Sequence, residues 1–247
     1  MHLHHINVAS NAEISKNFAN KAQNYYCNSI IQQQTAQILL QNLPINNYQL
    51  VLDAGCGDSI IARQLQKNKQ HHWQKLLQLD FALSMLQNWQ NKPSNIINIL
   101  ANIYQLPFKD NVFDLVISSF VLQWLNEIAI DNLAKITKKG AVLAIAFPNS
   151  NSLQNLSQII AINKLPSHDF FCHNMQKNNL SITKSWQQNL QQNFDSLAKA
   201  IDYFKIIGAN TKTTSHHNFY ALLKQKKLWQ LPFCLDWCIS FFICIKQ

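Results

Sequence analysis

The sequence predicts an α/β fold built on a mostly parallel, doubly wound sheet with helices on both faces. Three observations predict it. Short apolar runs alternate with stretches of helical periodicity, the turn Gly55-Cys-Gly57 follows the first run, and a last apolar run lies near the C-terminus. Such alternation is typical of parallel strands joined by crossover helices.

The core elements follow in chain order. Residues 15–43 are predicted to be helical, because apolar residues recur at spacings of three, four and seven before Pro44. Five strands are predicted at residues 48–53, 73–80, 95–100, 113–118 and 141–147. Helices are predicted between them at residues 59–66, 84–89 and 121–135. These elements form a predicted core over residues 1–147.

The pattern changes after Pro148. Helices are predicted at residues 153–162, 194–207 and 217–229, with Gly208 ending the second, and residues 163–190 are predicted to be loop-like with short helical pieces. The apolar run at 233–245 is predicted to be a final strand. We therefore predict a mainly helical cap over residues 148–230 and a strand within 231–247 that rejoins the core.

Composition restricts the function only loosely. The chain has 247 residues, 47% hydrophobic and 13% charged, with a formal charge of +9. Arg63 is its single arginine, whereas nucleic-acid readers favour arginine for bidentate base contacts. The positive charge is typical either of a lysine-rich surface in a chain poor in acids or of a face that attracts an acidic partner.

Cysteine and histidine spacing indicates neither a disulfide framework nor a metal site. The six cysteines form no C-x-x-C pair, and His168, Cys172 and His173 lack a partner set at zinc spacing. The first residues are polar, and the apolar run near the C-terminus is shorter than the ~18 residues of a membrane span. We expect a cytoplasmic monomer without metal, membrane or nucleic-acid partners.

The segment Val51-Leu-Asp-Ala-Gly-Cys-Gly57 carries the most information about a ligand. Asp53 ends the first strand, where a carboxylate disfavours phosphate but suits a cationic ligand that carries an amine. Asp80 ends the second strand, 23 residues after Gly57, where an acid can accept hydrogen bonds from ribose hydroxyls. S-adenosylmethionine (SAM), a positively charged nucleoside without phosphate, satisfies both acids.

At these positions the sequence resembles class I SAM-dependent methyltransferases. Their first motif stands here as Val51-Leu-Asp-Ala-Gly-Cys-Gly-Asp-Ser59, and their strand-two acid as Leu79-Asp80. The turn after strand three matches Leu106-Pro-Phe108, and strand four matches Phe113-Asp-Leu-Val116. The resemblance implies a Rossmann-like class I methyltransferase fold with a seven-stranded sheet.

A narrower resemblance covers most of the chain. The sequence is similar to the malonyl-acyl-carrier-protein O-methyltransferases of biotin synthesis, the BioC family. Four segments carry this similarity: Phe18-Ala-Asn-Lys-Ala-Gln-Asn-Tyr25, Val121-Leu-Gln-Trp124, Ser152-Leu153 and the stretch from Phe194 to Asn210. The resemblance implies methyl transfer from SAM to the malonyl carboxylate, with S-adenosyl-L-homocysteine as the second product.

The resemblance also implies the site residues. Cofactor contacts are expected from Phe18, Tyr25, Asp53, Gly55, Gly57, Asp80, Phe81, Asn102, Ile103 and Ser119. Tyr25, Gln123 and Trp124 are candidates on the acceptor side, although core packing explains these positions as readily. A basic face on the cap is expected to meet the acidic acyl carrier protein: Lys199, Lys205, Lys212, Lys224, Lys226 and Lys227.

Three positions depart from the family pattern. Ser59 stands where the first motif has glycine, Asn102 where the family has Asp, and Ser119 where it commonly has Asn. Each change weakens the expectation of tight cofactor binding. Two alternatives therefore stay open: methylation of another small molecule, such as a quinone precursor, and a non-catalytic module that keeps the fold.

Overall fold

The computed structural model describes residues 22–68, 70–160, 162–206 and 229–247. The α-helices in these ranges are α1 (Ala22–Asn28), α2 (Ile30–Gln41), α3 (Ile60–Lys67), α4 (Leu83–Leu86), α5 (Glu127–Ile136), α6 (Gln154–Ser157), α7 (His168–Lys177) and α8 (Leu197–Ile206). The strands are β1 (Asn47–Ala54), β2 (His72–Asp80), β3 (Ile96–Leu100), β4 (Phe113–Ser119), β5 (Thr137–Pro148), β6 (Leu180–Phe194) and β7 (Phe233–Lys246). A short 3₁₀ turn covers Leu122–Trp124.

The seven strands form one sheet in the order β3-β2-β1-β4-β5-β7-β6. The first five strands are parallel, whereas β7 runs antiparallel to both of its neighbours. The order reverses at β1 and β4, so the carboxyl ends of these two strands border a crevice where ligands bind in such folds. The predicted fold class is confirmed.

The central strands are apolar because helices cover both faces of the sheet. On β1, Val51 packs with α2 and α3 on one face, and its neighbour Leu52 packs with α5 on the other. Both side chains are fully buried. Continuous apolar runs are typical of parallel strands buried on both faces, which is why the sequence pattern located these strands well.

The structure corrects the prediction for residues 163–190. The residues from Leu180 to Phe194 form the 15-residue strand β6 at the edge of the sheet. The pattern did not predict a strand because most side chains here are exposed Gln, Asn, Ser and Lys, which leave little apolar alternation. The predicted cap segment thus contributes to the core sheet, and the domain boundaries stay predictions.

Other predicted helices are shorter than expected. The helix predicted over 15–43 is divided at Ser29, a buried residue whose hydroxyl donates to the carbonyl of Tyr26 at 3.0 Å. The helix predicted at 153–162 is only the four-residue α6. Phe18, Gly208, Lys212 and most of the predicted helix 217–229 lie outside the described residues. Within the described ranges, no helix has the length and apolar character to cross a membrane.

Candidate functional site

A cavity opens at the carboxyl ends of β1, β2 and β4, where the strand order reverses. The cavity brings together most of the residues that the sequence predicted for the cofactor and the acceptor: Tyr25, Asp53, Gly55, Gly57, Asp80, Phe81, Asn102, Ile103, Ser119 and Trp124. They come from α1, from the ends of the four strands β1 to β4 and from the 3₁₀ turn. The topology therefore assembles one site from distant parts of the sequence.

The turn after β1 has left-handed backbone at three positions: Gly55 (φ 76°), Gly57 (φ 50°) and Ser59 (φ 62°). A Cβ added to Gly55 would lie 2.4 Å from a methyl carbon of Val121, so this glycine permits close packing against the segment after β4. A Cβ added to Gly57 would meet no atom of the described residues within 4 Å. Gly57 therefore leaves its backbone open to a ligand, while Ser59 tolerates the conformation at some cost.

Asp80 joins the turns that follow the first two strands. Its Oδ2 accepts a hydrogen bond from the N–H of Gly57 at 2.9 Å, and its Oδ1 accepts one from the N–H of Ala82 at 2.9 Å. A carboxylate offers about four acceptor positions, so it can also accept from ligand hydroxyls. The predicted cofactor acid thus has a second role, which sequence spacing did not reveal.

Asp53 is buried beneath the cavity and is only 1% exposed. Its Oδ2 has no hydrogen-bond partner among the described residues. Burial raises the pKa of Asp53 well above its usual value, and the neighbouring charge of Asp80 raises that pKa further. An unpartnered buried carboxyl of this kind favours a ligand that brings a positive charge or hydrogen-bond donors.

The wall formed by β2 and β3 is partly apolar. Phe81 and Ile103 line it together with Asn102, whose Oδ1 accepts a hydrogen bond from the N–H of Tyr104 at 2.9 Å. The amide oxygen predicted to face a ligand therefore also closes a local turn. Its second lone pair remains chemically capable of accepting another hydrogen bond.

Two of the three acceptor candidates line the cavity. Tyr25 and Trp124 lie in its wall, whereas Gln123 does not. The side-chain amide of Gln123 instead donates to the carbonyl of Phe120 at 2.8 Å. Burial raises the pKa of the Tyr25 hydroxyl above its usual value, and nearby Tyr203 and Asp80 add to this. Tyr25 is therefore a neutral hydrogen-bond donor at physiological pH.

Several lining residues were not predicted from the sequence. Gln32 on α2 is 4% exposed and accepts a hydrogen bond from the hydroxyl of Tyr203 at 3.4 Å. It belongs to the run Gln32-Gln-Gln34, which gave no sign of which glutamine faces inward. Met85 and Phe120 also line the cavity, and each resembles an ordinary core residue in the sequence.

Outside the cavity, the structure describes few of the other candidates. Lys199 on α8 pairs with the exposed Asp195, which lies two residues before that helix begins. The side chains of Lys205, Lys224, Lys226 and Lys227 lie outside the described residues. Among the described residues, no group of three or more His, Cys, Asp or Glu side chains is arranged to hold a metal ion.

Comparison with known proteins agrees with this geometry. The family described as a methyltransferase domain matches residues 52–145. A malonyl-[acyl-carrier protein] O-methyltransferase of Buchnera aphidicola is 30% identical over 240 residues, which covers 89% of this chain and 88% of that relative. The chain belongs to the malonyl-[acyl-carrier protein] O-methyltransferase family.

Other relatives fall inside and outside this family. A malonyl-[acyl-carrier protein] O-methyltransferase of Pseudescherichia vulneris is 26% identical over 223 residues, covering 86% of both chains. The human mitochondrial arginine-hydroxylase NDUFAF5 is 36% identical over only 112 residues, covering 44% of this chain and 32% of that protein. The similarity to the malonyl-[acyl-carrier protein] O-methyltransferases therefore covers a much larger share of both aligned chains than the similarity to NDUFAF5 does.

Solved structures show the same fold. A Bacillus halodurans protein described as a methyltransferase superposes with a TM-score of 0.64 at 12% identity, covering 87% of this chain and 100% of that chain. Geranyl diphosphate methyltransferase, solved in complex with SAM, superposes with a TM-score of 0.58 at 11% identity, covering 87% of this chain and 85% of that chain. The class I methyltransferase fold is thus shared by enzymes with different acceptors.

As a member of the malonyl-[acyl-carrier protein] O-methyltransferase family, this chain is a SAM-dependent O-methyltransferase. The cavity fits that cofactor on three observations. The Oδ2 of Asp53 has no hydrogen-bond partner in the described part of the chain and suits a cationic group. The space that the described residues leave at Gly57 admits a ligand directly against the backbone. The carboxyl of Asp80, next to that turn, suits ribose hydroxyls.

Proposed function

We propose that this enzyme transfers the methyl group of SAM to the free carboxylate of malonyl-acyl carrier protein, as an early step of biotin synthesis. The observation that carries this proposal is the extent of similarity. Two relatives with that activity in their names align over 86–89% of this chain, well beyond the domain at residues 52–145. The products are a malonyl methyl ester and S-adenosyl-L-homocysteine.

Methyl transfer from SAM to a carboxylate requires mainly that the protein position the two reactants. A malonyl carboxylate is ionised at pH 7, so an oxygen of it can attack without a general base. SAM supplies an electrophilic methyl group on a sulfonium ion, and the bond from carbon to sulfur breaks as the ester bond forms. The enzyme contributes by aligning the two reactants and excluding water from the cavity.

We assign the cofactor contacts to the residues that line the cavity. Asp53 is proposed to face the cationic amino acid end of SAM, and Asp80 to accept from the ribose hydroxyls. Phe81, Asn102 and Ile103 are proposed to surround the adenine, with Gly55, Gly57 and Ser119 along the remaining wall. Phe18, from the same N-terminal segment as Tyr25, stays a proposed contact outside the described residues.

On the acceptor side we retain Tyr25 and Trp124. Both are neutral donors, through a phenol hydroxyl and an indole N–H. A neutral donor can orient the attacking carboxylate without the strong charge pairing that would lower its nucleophilicity. Gln123, the third candidate, lies beside Trp124 in the 3₁₀ turn and does not line the cavity.

The acyl carrier protein is proposed to dock on the basic face of the cap. Lys199, Lys205, Lys224, Lys226 and Lys227 form this proposed face, and the Lys199 charge is partly offset by Asp195. Replacing Lys224, Lys226 and Lys227 with Met together is expected to raise the KM for the carrier-bound substrate far more than for a small malonyl thioester. Equal effects on both substrates would contradict docking. A cytoplasmic location and a monomeric state belong to the same proposal.

The decisive experiment measures methyl transfer from labelled SAM to malonyl-acyl carrier protein. We expect label in a base-labile ester on the malonyl group, and none on acetyl-acyl carrier protein, which lacks the free carboxylate. The Asp80→Ala variant is expected to lose the transfer. SAM binding without transfer to the malonyl form would overturn the acceptor and favour another small molecule. Absence of SAM binding would favour a non-catalytic module.

A further inference from the structure

The only arginine of the chain lies between two aromatic rings beside the cavity. The Cζ of Arg63 on α3 is 4.8 Å from the ring centre of Tyr26 on α1 and 4.5 Å from the ring centre of Trp89, which follows α4. Cation–π contacts of this kind are stronger where the cation is partly removed from water, and the Arg63 side chain is 24% exposed.

The Arg63 guanidinium also forms an ion pair with the buried carboxyl of Asp58. Nη2 of Arg63 lies 3.7 Å from Oδ1 of Asp58, whose side chain is 2% exposed, and Nε donates to the Asp58 carbonyl at 3.3 Å. The backbone N–H of Tyr26 and the side chain of Asn88 also hydrogen-bond to Asp58. We call Tyr26, Asp58, Arg63 and Trp89 the arginine clamp.

The clamp connects α1, the segment from the turn after β1 into α3, and the residues after α4. None of its four residues lines the cavity. On α1, Tyr26 belongs to the clamp while its neighbour Tyr25 lines the cavity. In the turn after β1, Asp58 belongs to the clamp while its neighbour Gly57 lines the cavity and donates to Asp80. Two clamp residues are therefore each the chain neighbour of a residue that lines the cavity.

The residue type at position 63 also needs a physical reason. The chain has 21 basic residues, and Arg63 is the only one that is not lysine. A planar guanidinium can stack on two aromatic faces and direct several N–H groups at Asp58, whereas an ammonium group is strongly hydrated and stacks poorly. Lysine could supply the charge at position 63 but not this geometry.

We propose that Arg63 is a positioning residue that holds α1, and with it Tyr25, against the cofactor cavity. Arg63 thereby sets the affinity for SAM without touching it. This inference rests on SAM as the cofactor and is independent of the acceptor. It assigns the N-terminal helix a defined attachment point on the core.

The first test compares Arg63→Met with Lys67→Met, which removes the same charge from an exposed position one turn later on α3. We expect Arg63→Met to raise the Kd for SAM about tenfold in calorimetry, with circular dichroism unchanged. Lys67→Met is expected to stay within twofold of the wild type. Arg63→Lys is expected to fall between, because it keeps the charge and loses the stacking.

A second readout follows the position of α1 directly. Chymotrypsin cleaves after tyrosine, so detachment of α1 is expected to speed cleavage at Tyr25 and Tyr26 about tenfold in Arg63→Met, in the absence of SAM. A structural residue with no positioning role would change thermal stability and leave both readouts unchanged at low temperature. A folded Arg63→Met with a SAM Kd within twofold of the wild type would overturn the proposal.

Should Arg63→Met fail to fold, Tyr26→Ala and Tyr26→Phe decide the question. The phenylalanine keeps the ring over Arg63 and is expected to bind SAM as the wild type does, whereas the alanine is expected to lose about tenfold. Equal Kd values for the two would overturn the proposal. A wild-type chain that binds SAM but does not methylate malonyl-acyl carrier protein would contradict the proposed acceptor only.

Discussion

The backbone N–H of Gly57 donates to Oδ2 of Asp80 at 2.9 Å, and this bond joins the turns that follow the two strands on the cofactor side of the sheet. The Asp80 carboxyl thus holds the turn after β1 in place and also faces the cavity as a candidate ligand contact. Loss of the carboxyl should therefore affect both the folded state and the ligand.

Replacing Asp80 should separate these two roles. Asp80→Ala leaves two backbone N–H groups without acceptors, so we expect a loss of about 2 kcal/mol in the free energy of unfolding together with loss of SAM binding. Asp80→Asn keeps one acceptor oxygen and is expected to retain more stability than affinity. Urea denaturation and calorimetry measure the two effects, and full stability in Asp80→Ala would contradict the joining role.

Gly55 and Gly57 are expected to respond differently to alanine. In Gly55→Ala the new Cβ meets Val121 at 2.4 Å, so overpacking adds roughly 1–3 kcal/mol to the cost of the positive φ. Gly57→Ala has open space, so its stability should fall by only about 1 kcal/mol while SAM binding weakens. The double variant Gly55→Ala, Val121→Ala should recover part of the lost stability, and its failure to do so would argue against the clash.

Ser59→Gly should stabilise the fold. Ser59 has a φ of 62°, and its side chain makes no capping hydrogen bond to the start of α3. Glycine adopts this conformation without the Cβ penalty, so the free energy of unfolding is expected to rise by roughly 0.5–1 kcal/mol. Thermal denaturation measures the change, and Ser84→Gly, outside a left-handed position, is the control expected to destabilise.

SAM affinity should depend on the protonation of Asp53. Burial and the charge of Asp80 raise the pKa of Asp53 in the free protein, and a bound cation favours the ionised carboxylate and lowers that pKa. Affinity is therefore expected to rise as the pH increases through the raised pKa, with proton release on binding. Calorimetry in buffers of different ionisation enthalpy measures the protons, and an equally steep pH dependence in Asp53→Asn would contradict the assignment.

The sequence predicted the parts of the site that lie at strand ends. Asp53 and Asp80 could be placed because apolar parallel strands are recognisable and their carboxyl ends meet at one edge of the sheet. Asn102, Ile103 and Ser119 followed from the same logic together with the family resemblance. All five of these residues line one cavity in the structure.

Features that depend on side-chain direction or on polar strands could not be predicted in this way. Strand β6 was missed because its exposed polar residues hide the alternation. Spacing also did not reveal that Trp124 lines the cavity while its neighbour Gln123 does not. The contacts of Arg63 with Tyr26 and Trp89 join positions 37 and 26 residues apart in number, a relationship that spacing does not encode. Tertiary packing decides such contacts.

The place of β7 in the sheet has a consequence for synthesis. Residues 233–246 come after β6 in the chain, yet β7 lies between β5 and β6 and supplies hydrogen bonds to both. Until the ribosome has made this stretch, β6 lacks the strand with which it pairs in the sheet, and β5 has an unpaired edge. Strands β1 to β5, which carry the cavity at their ends, can pair before β7 is made. A stop codon before residue 233 would remove the strand that joins β6 to β5, not a dispensable tail.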